Sequence, residues 1–112
     1  MSLAALYNVP KTAQGVAEFA FNNRMSHLTI NQAIQAAGGG VIALPVLDPI
    51  PLDDIQNWAQ QHQILHDAMN SVLGLEGNDL TDVDWHNLQQ VEAWIRLHAQ
   101  EHFRASEKLG VA

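Results

Sequence analysis

The chain contains no cysteine. Disulfides and thiolate metal sites are therefore excluded, and any metal ion must be held by nitrogen or oxygen donors. Basic residues are scarce: five Lys and Arg stand against twelve Asp and Glu, a formal charge of −7 with histidine neutral. That balance argues against a nucleic-acid backbone or an anionic membrane as the main partner. No apolar run approaches the roughly 18–20 residues of a membrane span. Met1 to Val9 is short and has no basic stretch, so no signal peptide is expected there. A P-loop, a dinucleotide-binding glycine fingerprint and a nucleophile elbow are also missing, and the reading leans away from an enzyme.

What is present fits one small domain over residues 1–112, with 47% apolar residues. At this size about a third of the unfolded chain's surface stays exposed, so association with protein partners or a second copy would help. Six histidines are many for this length, and protonating all of them would move the charge from −7 to −1 (−7 + 6).

Residues 1–9 read as an apolar arm, with Leu3, Leu6, Tyr7 and Val9. It packs either on the protein's own core or on a neighbouring subunit. Pro10 closes the arm and Thr12 is a good N-cap. Val16, Phe19, Asn23, His27, Ile30, Ile34 and Ala37 then fall at steps of three and four, which predicts one helical stripe. Asn22 and Asn23 are weak helix formers and Ser26 and Thr29 could start a new turn, which leaves open one helix over about 13–37 or two with a break near 23–29. Gly38, Gly39 and Gly40 end it. Residues 38–52 form a Gly/Pro-rich connection in which Pro45, Pro49 and Pro51 favour an extended path.

Asp53 reads as the next N-cap, with Gln56 in the capping-box position. Ile55, Trp58, His62, Leu65, Met69 and Val72 form a seam that stops at Gly74. An acidic loop follows, and Asn87 with Gln90 opens a further helix. Its seam is Leu88, Val91, Ile95, His98, His102, Ala105 and Leu109, ending at Gly110. The expected fold is all-α: an N-terminal helix plus a helical hairpin over 53–109. The loop allows antiparallel packing. If Leu73 lies opposite Leu88, then His62 faces His98, and His66 and His102 lie a turn to either side.

Each hairpin helix carries a His-x-x-x-His pair, His62/His66 and His98/His102. Residues four apart share a helix face, about 5–6 Å apart at Cβ, so each pair can chelate one ion. His27 on the first stripe could complete the layer. Three readings stay open. His27, His62, His66, His98 and His102 could hold zinc or another transition metal, with Asp67 or Glu101 as a base if the site were hydrolytic. They could instead be buried imidazoles satisfied by Asn23, Gln63, Asn70 or Glu101, with no cofactor at all. Or they could be neutral core groups that charge in acid and loosen the fold. The single histidine plus His-x-x-x-His resembles the three-histidine site of DinB-like bundles, which have four helices and a longer chain. His66-Asp67 resembles the HD phosphohydrolases, whose remaining framework is absent. Glu76, Asp79, Asp82 and Asp84 do not meet the EF-hand pattern and read as a solvated loop. Trp58, Trp85 and Trp94 read as core or interface anchors.

The stretches His-Gln-Ile-Leu-His-Asp-Ala-Met-Asn from His62, Leu-Gly-Leu-Glu-Gly-Asn-Asp-Leu, Val-Asp-Trp, and Trp-Ile-Arg-Leu-His-Ala-Gln-Glu-His from Trp94 carry a resemblance. They resemble small helical proteins of tailed bacteriophages and prophages, over roughly residues 17–111. The resemblance implies a non-enzymatic structural or assembly protein, located in the virion or in the host cytoplasm during assembly. Its partners would be other particle proteins or copies of itself. The alternative is a metal-binding helical module or a metal-dependent hydrolase.

Overall fold

The computed structural model describes residues 4–39, 55–77, 83–84 and 86–111. A 3₁₀ turn, Ala4–Tyr7, precedes three helices: α1 Ala13–Ala36, α2 Ile55–Leu73 and α3 Leu88–Leu109. Among the described residues there is no strand, so the expected all-α fold with three main helices is the one observed. Most of the Pro-rich connection, the Asp53 cap, Asp79, Asp82 and Trp85 lie outside the described residues.

The helix ends follow the local chemistry. Thr12 accepts a hydrogen bond from Gly15 N at 3.0 Å, and Asn87 accepts from Gln89 N and Gln90 N. The box at Asn87 is not closed: Gln90 Oε1 accepts from Asp84 N at 2.8 Å instead. After α1, Gly38 takes φ +86° and Gly39 N bonds back to Ile34 O at 2.9 Å. A Cβ on Gly39 would lie 2.7 Å from Ile34 Cγ2, so a side chain there would force the turn apart. Of the two possibilities for α1, the structure has one continuous helix. Asn22 and Thr29 lie within it, with their side chains bonded back to Glu18 O and Met25 O.

The helices α2 and α3 run parallel, not as the antiparallel pair that the loop length suggested. The rings of Trp58 and Trp94, of His62 and His98, and of His66 and His102 pair at 5.9, 5.0 and 4.8 Å. All three pairs share one sequence offset: 94 − 58, 98 − 62 and 102 − 66 are each 36. An antiparallel pair would keep a constant sum instead. The α1 helix points the same way, since Phe19 meets Trp58 and His98 whereas Ile30 and Ile34 pack with Leu65, Met69 and Ala105. The chain is long enough for this. Fourteen residues separate Leu73 from Leu88 (88 − 73 − 1). Extended, they reach about 46 Å, more than the roughly 28 Å of α2.

Two apolar clusters result, one at each end of the bundle. Leu6, Val16, Phe19, Ala20, Ala59, Val83, Trp94, Ile95 and Ala99 form the first. Ile30, Ile34, Leu65, Met69 and Ala105 form the second. Leu6 is fully buried, so the described end of the N-terminal arm packs on the protein's own core, and the Tyr7 ring meets that of Phe103 at 5.6 Å. Ala37, Val72 and Leu88, expected on the seams, are exposed. Asn70 and His66 take inward positions on α2 instead. Between the two apolar clusters lies a buried polar layer, and it contains all five helix-borne histidines.

Candidate metal centre

The polar layer starts from a pattern that occurs twice, Trp-x-x-x-His-x-x-x-His at Trp58-His62-His66 and at Trp94-His98-His102. One helical turn separates successive members, so each set lines one face. Parallel packing in register then sets the two faces against each other. Trp58 stacks on His62 at 4.8 Å and 11°, and Trp94 stacks on His98 at 4.8 Å and 13°. The indoles form a floor that fixes these two imidazole planes. From α1, His27 enters between the pairs, with ring centroids 4.9, 5.0 and 4.4 Å from His62, His66 and His102.

The ring nitrogens converge. His62 Nε2 lies 3.1 Å from His27 Nε2 and 3.0 Å from His66 Nε2, and His98 Nε2 lies 3.3 Å from His102 Nε2. One nitrogen from each of the five rings lies within 4.8 Å of every other, and all five residues are buried. A metal–nitrogen bond of about 2.0–2.1 Å puts adjacent ligand atoms about 3 Å apart and opposite ones about 4 Å apart. The observed spacings are close to that range. Hydrogen bonding alone accounts for them poorly. An imidazole nitrogen has one in-plane lone pair or one hydrogen, so His62 Nε2 can serve one of its two neighbours well. The other can only share the same hydrogen or lone pair in a weaker, bifurcated contact.

The far sides of two rings are held by protein groups. His66 Nδ1 donates to Glu101 Oε2 at 3.2 Å, and Asn70 Nδ2 donates to the same oxygen at 2.7 Å. His102 Nδ1 and Ser26 Oγ are hydrogen-bonded at 2.7 Å. With a hydrogen on Nδ1, each ring presents the bare Nε2 inward, as a metal ligand must. A buried carboxylate behind a histidine also makes the ring more basic and offsets part of an ion's charge. Burial holds His27, His62, His98 and His102 well below the usual histidine range. Repulsion between neighbouring imidazoles adds to the effect. The four rings are therefore neutral at pH 7, the form that binds metals.

All five expected metal-site residues, His27, His62, His66, His98 and His102, come together. His62 faces His98 as expected, but His66 and His102 pair with each other rather than lying apart. The sixth histidine, His86, is exposed and outside the layer. Of the two acids considered as bases, Asp67 is exposed and accepts from Gln63 Nε2 at 3.1 Å. Glu101 is buried behind His66. Of the side chains expected to satisfy the histidines, Glu101 bonds one directly and Asn70 acts through it. Asn23 reaches none: both atoms of its amide lack a partner among the described residues. Ser26, expected only as the start of a new turn, takes a ring nitrogen. Its place three residues after Asn23 and four before Ile30 put it on the inward face, which was the available signal.

No protein-family model, curated protein or solved structure matches the chain.

Proposed function

We propose that this protein is a metal-binding helical module whose three parallel helices are tied together by one transition-metal ion held by His27, His62, His66, His98 and His102. The observation that carries this reading is the convergence of five buried ring nitrogens within 4.8 Å of one another. An all-imidazole donor set suits zinc, iron, cobalt, nickel or copper, and it is a poor match to magnesium or calcium, which prefer oxygen. The burial of every donor and the aromatic floor under His62 and His98 support a structural ion over a hydrolytic one, because a hydrolytic ion must be reachable by its substrate. Structural zinc in small domains contributes roughly 10–16 kcal/mol of apparent binding free energy. That is enough to offset a polar layer in the middle of a small core.

The role we infer for this module is that of a non-enzymatic structural or assembly protein of a tailed bacteriophage, acting through protein–protein contacts in the virion or during assembly. The wording of residues 17–111 supports it. Among the described residues, no helix is long and apolar enough to cross a membrane.

Metal analysis of untagged protein tests the first part. About one equivalent of a transition metal, or a raised melting temperature on adding zinc, is the expected result. Less than about a tenth of an equivalent together with no stabilisation overturns it. Sedimentation with purified phage particles tests the second. A strictly monomeric protein that does not bind its particles counts against the assembly role.

A further inference from the structure

Asn23 is fully buried, and neither its Nδ2 nor its Oδ1 has a hydrogen-bond partner among the described residues. Leaving a buried amide unpaired is costly, and such groups in native proteins have a partner or a function. Its position is informative. Asn23 lies one turn after Phe19 and one turn before His27 on the inward face of α1. The Phe19 ring contacts Trp58 and His98, and the His27 ring contacts His62, His66 and His102. Asn23 is therefore placed on α1 between the level of Phe19, which meets His98, and the level of His27, which meets His62, His66 and His102.

The charge of the centre adds a second observation. Five neutral imidazoles leave a divalent ion with its full double charge. Among the described buried residues the one acid is Glu101, which offsets one unit. One positive charge stays uncompensated in a dry interior, where an uncompensated charge is expensive.

Building on the proposed metal centre, we propose that Asn23 holds a small monoanion on the metal ion, with the Asn23 Nδ2 hydrogen donated to it. The ligand class is an anion of one to three heavy atoms, such as a halide or a linear pseudohalide. Five protein nitrogens leave one position of an octahedral ion, and Asn23 is fully buried between Phe19 and His27, which favours a small anion. The anion neutralises the centre and satisfies the Asn23 donor in one contact. Asn23 is then a positioning residue for the ligand and not itself a metal ligand.

Azide titration of the copper(II)-loaded protein tests this. A saturable azide-to-copper charge-transfer band is expected in the wild type. In Asn23→Leu the azide affinity should fall at least tenfold, with copper affinity unchanged. The same substitution removes a buried unpaired amide, so it should leave the metal-free protein at least as stable. If Asn23→Leu does not fold, Asn23→Ser serves, with a weaker but detectable loss. Copper binding without any azide band overturns the anion proposal and leaves the metal centre standing, as does unchanged azide affinity in the variants. Failure of the wild type to bind copper overturns both.

Discussion

His66 and Glu101 meet at 3.2 Å in the interior, each almost fully buried, and the same carboxylate oxygen takes the Asn70 amide at 2.7 Å. Glu101 thus sits behind His66, at the nitrogen that points away from the converging ring nitrogens. Replacing it by glutamine keeps the shape and removes the charge. Glu101→Gln should weaken zinc binding roughly 10–100-fold, measured by competition with a chromophoric chelator. Glu92→Gln, on the exposed face of α3, should leave it unchanged. Equal affinities in the two variants would remove Glu101 from the site.

The stacked indoles give an optical readout. Trp58 and Trp94 lie 4.8 Å from the rings of His62 and His98. Copper(II) in the cluster should quench most of their fluorescence at about one equivalent, and His98→Ala should remove the high-affinity step. His86→Ala, at an exposed histidine outside the layer, should titrate like the wild type. Quenching that is lost with His86 instead would place the ion elsewhere.

Acid should unfold the metal-free protein. The folded state holds His27, His62, His98 and His102 below their ordinary range, mainly through burial. Below the unfolded value of about 6.5 the unfolded chain therefore binds more protons, and stability falls as pH falls. Each such histidine contributes at most about 1.4 kcal/mol per pH unit between its lowered folded value and about 6.5. Above about pH 7.5 this contribution is flat. Urea midpoints at pH 5 and pH 8 measure it. A higher midpoint at pH 5 would contradict neutral burial of these rings.

The direction of the helices is testable because the chain has no cysteine of its own. Spin labels on cysteines at the exposed positions Ser71 and Glu107 share the offset of 36 (107 − 71). They should lie close together. A pair at the exposed Asn57 and Glu107 should be clearly farther apart, because it is offset along the bundle axis by about 20 Å, the rise of about fourteen helical residues (71 − 57). Antiparallel helices would reverse the order of the two distances.

Much of this architecture is written locally. The Thr12 and Asn87 caps, the glycines after each helix and the three-and-four spacing of Val16 to Ile34 depend on neighbours within a few residues, and they appear where expected. The exposed Val72 and Leu88 show the limit of that reading. Periodicity marks an apolar stripe, but only the partner helix decides where the stripe stops being covered.

The sequence by itself determined three helices and placed His27, His62, His98 and His102 on their apolar stripes, with His66 just beside one, because helical spacing is a local property. It did not determine which way α3 runs beside α2. A seam of residues at three and four steps looks alike from either end, and a fourteen-residue loop permits both directions. The repeated Trp-x-x-x-His-x-x-x-His held the missing information, since two copies can align member for member only if the helices are parallel. Tertiary packing then brought His66 to His102, put Ser26 and Glu101 behind the rings, and left Asn23 buried without a protein partner among the described residues. Those relations join residues 35 to 76 positions apart, beyond the reach of any local pattern.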